Sequence, residues 1–271
     1  MREFENMNSM WSYIASSVLD KGSKVDGTLE LSNVMVRLNN INENVLTTRH
    51  KFSLLYYLGE SVWYGSGAND VDFISRFGKI WEKLTDDGVT NNSAYGHILK
   101  NKHGFNQIEK MIELLKVHPE SRRAVMNINT PRENVIETKD EFCTIALQLL
   151  VRDGKLNMTG IMRSNDLWSG TPYDIFYFTE IQKYIANQLG LEYGTYTHCV
   201  TSLHIYDRNI EDIGISILNY FNDKKEKIFI DGQKLFKMSN DIYKELKPLS
   251  RDETRKKILE ICEKERIVWY E

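Results

Sequence analysis

The chain has 271 residues, of which 41% are hydrophobic and 27% charged; that is enough apolar material for a core of its own and too much for a disordered or fibrous protein. Its formal net charge is −3 with Lys and Arg dispersed, so no basic stripe awaits a nucleic-acid backbone, and a small anionic ligand needs a local basic pocket. Cys143, Cys199 and Cys262 have neither CxxC nor Cys/His ligand spacing, which excludes a disulfide framework and a zinc site.

Met1 to Ser17 lacks a leader-like apolar core, and no apolar run approaches the ~20 residues that span a bilayer. A cytoplasmic protein with no membrane, nucleic-acid or metal partner is expected. The 4 prolines and the lack of a Gly/Ser-rich linker predict one domain over 1–271. Met7 to Leu19 has a helical apolar pattern, and Thr28 to Leu38 alternates as a strand does. Lys51 to Tyr64 reads as a buried helix with one acid, Glu60, ended by Gly65 to Gly67. Val71 to Lys83 predicts another helix. Phe105 to Val117 is amphipathic, with Ile108, Met111, Ile112 and Leu115 on one stripe and Pro119 just beyond. Thr144 to Val151 and Lys155 to Met162 flank Asp153-Gly154, a hairpin turn signal. Ile175 to Leu189 has helical period with Gly190 at its C-cap, Thr195 to Tyr206 is a further strand, and the tail from Ser239 is charged and partly helical. Strands and helices mix without strict alternation, which predicts an α/β or α+β class.

Few residues offer chemistry. A thiol such as Cys143 becomes nucleophilic only beside positive charge, for which Arg122, Arg123 and Arg163 are candidates; otherwise it is a small buried apolar group. Ser121-Arg122-Arg123 is either solvated surface or a phosphate grip, because a guanidinium fork matches phosphate oxygens. Arg163-Ser164-Asn165-Asp166 is a turn or a phosphate and ribose clamp. Glu60 sits between Leu58 and Trp63, where a carboxylate is costly unless it is paired or functional. His204 and Tyr206 share one strand face; Trp81 and Tyr95 are of the kind most often found in cores.

In order and approximate spacing these segments resemble the thymidylate synthase signature: Ser121-Arg122-Arg123, Cys143, Arg163 through Asp166 with Gly170 and Pro172, then His204-Ile205-Tyr206. Upstream, Glu60-Ser61-Val62-Trp63-Tyr64 is similar to the family's Glu-Leu-Leu-Trp-Phe, Ile80-Trp81 to its Ile-Trp, and Tyr95-Gly96 to its Tyr-Gly. The resemblance implies a thymidylate synthase-like fold, a mixed β-sheet layered with helices and dimerising through the sheet. It implies that Cys143 adds to carbon 6 of a pyrimidine nucleotide. Arg163 and Ser164 would hold the phosphate, with Arg122 and Arg123 reaching the other subunit's site of a homodimer. His204 and Tyr206 would bind the sugar, and Glu60 would order water and protons around the base. Asp166 would lie near both the base and the folate, and with Trp81 and Gly170 would border 5,10-methylenetetrahydrofolate, the one-carbon donor.

Three departures shape the expected activity. Where the family's Gly-x-Pro-Phe-Asn carries an amide suited to uracil, this chain reads Gly170-Thr171-Pro172-Tyr173-Asp174. A carboxyl that accepts from the cytosine amine and shares a proton with N3 suits cytosine instead; the alternative for Asp174 is a helix-capping role. Cys143-Thr144, Arg163-Ser164-Asn165-Asp166 and Ser202-Leu203-His204 are similar to deoxycytidylate hydroxymethylases, which add water rather than hydride. The family's phosphate loop is reduced to Gly22-Ser23-Lys24-Val25-Asp26-Gly27-Thr28, with Lys24 in place of the loop arginine, and the tail Ile267 to Glu271 differs from the family's closing segment. The expectation is a 5-hydroxymethylase of dCMP or CMP. A methylase acting on dUMP or dCMP is the enzymatic alternative, and a catalytically silent nucleotide- or RNA-binding regulator is the other.

Overall fold

The computed structural model describes residues 1–131, 135, 137–222 and 228–270. In chain order these form β1 (Arg2–Phe4), α1 (Met7–Lys21), β2 (Ser23–Val25), β3 (Thr28–Leu38), α2 (Leu54–Ser66), α3 (Val71–Ser75), α4 (Tyr95–His97) and α5 (Gln107–Val117). There follow β4 (Val125–Asn127), β5 (Thr144–Arg152), β6 (Lys155–Asp166), α6 (Thr171–Leu189), β7 (Glu192–Tyr206), α7 (Ile210–Phe221), β8 (Ile228–Ile230), α8 (Gly232–Leu246), α9 (Arg251–Lys264) and β9 (Val268–Tyr270).

Strands β1 to β7 make one mixed sheet in the order β1-β3-β7-β6-β5-β4, with β2 folded back on β3. The β5–β6 hairpin turns through Asp153 and Gly154, both at positive φ (50° and 73°), as a two-residue turn of this hand requires. The β6–β7 pair is parallel, so the chain must cross over, and α6 is that crossover. Its residues are buried on nearly every side from Thr171 to Ala186; it packs on β6 and β7, with α5 and α8 also against it. Gly190 closes it in the left-handed conformation, φ 65°.

Buried positions on β6 run Leu156, Met158, Gly160, Met162 and then Asn165; on β7 they run Tyr196, His198, Val200 and then Leu203, Ile205. Each strand therefore changes phase once, at Arg163–Ser164 and at Thr201–Ser202, and β3 does so at Ser32–Asn33, where Asn33 has φ 56°. The three changes lie side by side, because Ser202 pairs with both Ser32 and Ser164. The opposite face of the sheet carries exposed Met35 (51%) and Ile145 (38%).

Several expectations need correction. Val71 to Lys83 is two pieces, α3 and a 3-10 turn Lys79–Glu82. The break falls at Gly78, where a Cβ would meet the Tyr56 ring at 2.6 Å. Gly65 lies inside α2 rather than ending it, because a Cβ there would strike Ser239 of α8 at 2.2 Å; Gly67, at φ 76°, is the cap. The tail from Ser239 is helical in α8, which already starts at Gly232, and in α9. The C-terminal segment is a strand, Val268–Tyr270 pairing with β8; Glu271 lies outside the described residues. No helix among the described residues is long and apolar enough to cross a membrane.

Candidate active site

Cys143 is the residue before β5, half-buried, with its sulfur 3.9 Å from the Glu141 carbonyl. Hairpin pairing brings Arg163 to it: the Arg163 N–H donates to the Cys143 carbonyl at 2.9 Å. The Arg163 guanidinium donates to the Phe142 carbonyl (2.8 Å) and to Glu141 Oε2 (2.9 Å). Burial pushes the Cys143 thiol up to about 11; Arg163 pulls it down, while Asp174, Asp140 and Glu141 push it further up.

Glu60 is buried on α2. Its Oε1 accepts from the Tyr56 hydroxyl (2.8 Å), which in turn accepts from Trp81 Nε1 (3.0 Å). Trp81 is only 7% exposed, so most of the ring is committed to the core. Burial raises the Glu60 carboxyl to about 8, the Tyr56 hydrogen bond opposes this, and Asp174 adds to it.

Asp174 stands in the first turn of α6, half-buried, with Oδ2 accepting from Asn165 Nδ2 at 2.8 Å. Burial raises it to about 7. Its charge is felt at Glu60, Cys143 and Tyr95 alike, so three residues from distant parts of the sequence converge on one carboxyl. Gly170 is what lets that carboxyl approach: a Cβ there would lie 2.8 Å from Asn165 Nδ2 and 3.2 Å from Asp174 Oδ2. The capping role weighed for Asp174 is absent, as α6 has no side-chain cap.

Ser164, His204 and Tyr206 lie together on the neighbouring strands. Ser164 Oγ is 3.4 Å from His204 Nδ1, and the His204 ring stands edge-on to Tyr206 with centroids 5.2 Å apart. Asp166 Oδ1 accepts from the backbone N–H of Trp168 (2.8 Å) and Ser169 (3.2 Å), shaping the loop into α6. Lys24 on β2 pairs with Asp207, next in chain to Tyr206. Arg122 and Arg123 are exposed and are not brought to the same chain's Cys143. The Arg122 carbonyl accepts from Gln148, five residues along β5 from Cys143, which is roughly 17 Å of extended strand.

Motif reading passed over four residues here. Arg49 donates to the Tyr173 hydroxyl (2.9 Å) and stacks on Trp168 at 4.0 Å, bracing the loop around Gly170. Tyr56 bridges Trp81 to Glu60. Tyr196 and His198 occupy inward registers of β7; a histidine in an apolar alternation was the available signal.

The buried acids make stability depend on pH. In the unfolded chain Glu60 titrates near 4.5, so between about 4.5 and about 8 the folded state holds a proton that the unfolded state has lost. Stability therefore falls as pH rises through that window, by an amount on the order of a few kcal/mol. Glu60→Gln is expected to flatten this loss and to be the more stable protein at the alkaline end, as urea midpoints at matched pH values will report. A wild-type midpoint that rises across the same window would contradict the buried-acid assignment.

The family profile described as thymidylate synthase matches residues 10–245, and the chain belongs to the thymidylate synthase family. Two phage proteins named deoxyuridylate hydroxymethyltransferase are similar. That of Bacillus phage SP01 is 31% identical over 202 residues, 69% of this chain and 52% of its own. That of Pseudomonas phage M6 is 30% identical over 161 residues, 58% and 46% of the two chains. The chain thus spans about half the length of these relatives. The thymidylate synthase of Bacillus licheniformis is 29% identical over 198 residues, 70% of each chain. The solved structure of a thermostable thymidylate synthase A from Bacillus subtilis has the same fold, with a TM-score of 0.67 over 86% of this chain and 91% of that one at 22% identity.

Proposed function

We propose that the protein is a 5-hydroxymethylase of a cytidylate, dCMP or CMP, that takes its one-carbon unit from 5,10-methylenetetrahydrofolate. The observation that carries this reading is Asp174, a carboxyl held near neutrality at about 7 and coupled to both Cys143 and Glu60. Cys143 gives up its proton to water as its sulfur bonds to carbon 6, and the ring electrons move to carbon 5. Charge that builds on N3 takes the Asp174 proton, while the other carboxyl oxygen accepts from the amine. The folate would supply one carbon, at the oxidation level of formaldehyde, to carbon 5; loss of the carbon-5 proton and departure of tetrahydrofolate would leave an exocyclic methylene, water adding there would give the hydroxymethyl group, and Cys143 would then leave carbon 6, with no hydride needed. Glu60, with its raised affinity for a proton, orients that water and exchanges its protons. Arg163 and Ser164 grip the phosphate, with Lys24 in place of the loop arginine, and His204 and Tyr206 take the sugar. Asp166 has Oδ1 committed to the backbone, leaving Oδ2 as the oxygen suited to a ring N–H of the folate, with Gly170 and Trp81 nearby in the same wall.

The distance of Arg122 and Arg123 from their own Cys143 supports a homodimer joined through the open sheet face, each subunit lending these arginines to the other's phosphate site. A second reading, hydroxymethylation of a uridylate, is favoured by the names of the two phage relatives. One experiment decides. The purified protein is incubated with methylenetetrahydrofolate and each of CMP, dCMP, UMP and dUMP, and the products are weighed by mass spectrometry. The expected result is a hydroxymethyl gain on a cytidylate, with tetrahydrofolate released from a protein that sediments as a dimer. Hydroxymethylated uridylate alone would establish the second reading, and dihydrofolate formed with dUMP would make the protein a methylase.

A further inference from the structure

A neutral carboxyl offers one donor and one acceptor, and by moving its proton between oxygens it can match either pyrimidine edge: donor to N3 and acceptor from the amine of cytosine, or acceptor from N3–H and donor to O4 of uracil. Hydrogen bonding by the acid therefore does not by itself refuse the other base, even though its proton serves cytosine N3 as the sulfur adds. Behind Asp174 lies a chain of buried polar groups that the chemistry above does not use. Tyr196 (0% exposed), His198 (1%) and Asn165 (2%) follow one another inward from β7 to β6. The Tyr196 hydroxyl is 3.0 Å from His198 Nδ1, His198 Nε2 is 3.0 Å from Asn165 Oδ1, and Asn165 Nδ2 is 2.8 Å from Asp174 Oδ2. The Thr171 hydroxyl meets Asn165 Oδ1 at 2.6 Å, a spacing proper to O–H···O rather than N–H···O, which fixes the orientation of the amide. The sense of the chain follows. Asn165 Oδ1 can only accept, so His198 Nε2 carries hydrogen; Nδ1 is then bare and accepts from Tyr196. Room is reserved at both ends: a Cβ on Gly160 would lie 2.3 Å from the Tyr196 hydroxyl, and one on Gly170 would lie 2.8 Å from Asn165 Nδ2.

We propose that Tyr196, His198 and Asn165 are positioning residues forming a one-way hydrogen-bond relay, which keeps Asp174 Oδ2 an acceptor, sends the acid proton to Oδ1, and so makes the carboxyl read one pyrimidine edge and refuse the other. This rests on the reading of Asp174 as the base contact, and not on which base it prefers. His198, held neutral by burial with its affinity for a proton lowered to about 3, keeps one tautomer across the working pH range.

Two measurements test the relay. In the unmodified protein, side-chain 15N NMR is expected to find His198 with hydrogen on Nε2 and none on Nδ1; hydrogen on Nδ1, or on both nitrogens, would overturn the proposal without any variant. In Tyr196→Phe, which frees His198 to change tautomer, the ratio of kcat/KM for the preferred base over the other is expected to fall about tenfold. His198→Gln, whose amide still donates to Asn165, should retain more of the ratio than His198→Ala. A folded Tyr196→Phe protein with its full base preference would also overturn the relay. A relay found intact in a protein that prefers uridylate would remove the cytidylate reading and leave this proposal standing.

Discussion

Cys143→Ser is expected to abolish product formation, with a loss of about 10⁴ or more in kcat, while nucleotide affinity stays within a few-fold. The two side chains differ by one atom, so the phosphate and sugar contacts proposed for Arg163, Ser164, His204 and Tyr206 are untouched. The nucleophile is a different matter. Even the thiol is held protonated by its surroundings: burial, Asp174, Asp140 and Glu141 drive it to about 11, and Arg163 is the group that opposes them. Arg163 is itself shared with Glu141 at 2.9 Å. A hydroxyl in the same place starts from far weaker acidity and is a poorer nucleophile toward carbon 6. Mass spectrometry of the product and calorimetric titration with nucleotide separate the two effects. Turnover within tenfold of wild type would remove covalent catalysis, and a biological role unaffected by the change would favour the nucleotide-binding regulator.

Asp174→Asn carries the second large effect. Cytidylate turnover is expected to fall by about 10² to 10⁴, with uridylate use rising relative to it. An acid that titrates near neutrality can give N3 a whole proton as the sulfur adds; an amide can only donate a hydrogen bond. Uracil already holds hydrogen on N3 and asks for an acceptor there and a donor at O4, which an amide provides if its oxygen faces N3. The variant can adopt that sense only by turning Asn165 over with it, so the His198 hydrogen should move from Nε2 to Nδ1. Steady-state kinetics on four nucleotides, with the 15N spectrum of the variant, check both halves. Unchanged preference would mean that residue 174 does not face the base.

Long regular elements were legible in the sequence because their periodicities are long. Thr28–Leu38 and the Asp153-Gly154 hairpin need only alternation and a two-residue turn, and the helix through Ile175–Leu189 declares itself by its apolar period and Gly190. The short strands β1, β2, β4, β8 and β9 have three residues each, too few to show a period, and α7 was passed over. The break at Gly78 depends on where the Tyr56 ring falls, which is a tertiary fact. Within the candidate site, Cys143, Glu60 and Asp174 were singled out from motif order, and the fold sets the first two within the electrostatic reach of the third. The side-chain contact between Asn165 and His198 joins residues 33 apart in the chain, and that between Trp81 and Tyr56 residues 25 apart, with no local pattern between them; Tyr56 and Glu60, four apart on α2, do share a helix face.

The shared phase change across β3, β6 and β7 has an evolutionary consequence. Ser164, His204 and Tyr206 face outward only because their strands each carry one extra outward residue at the same height. Loss of a single residue there from one strand would swing its site side chains into the interior and drive apolar ones outward, whatever the motif still spelled. Relatives should therefore tolerate exchanged side chains along this row far better than altered spacing, and a homologue missing one position in Arg163–Asp166 or Thr201–His204 should be inactive even where the remaining site residues are retained.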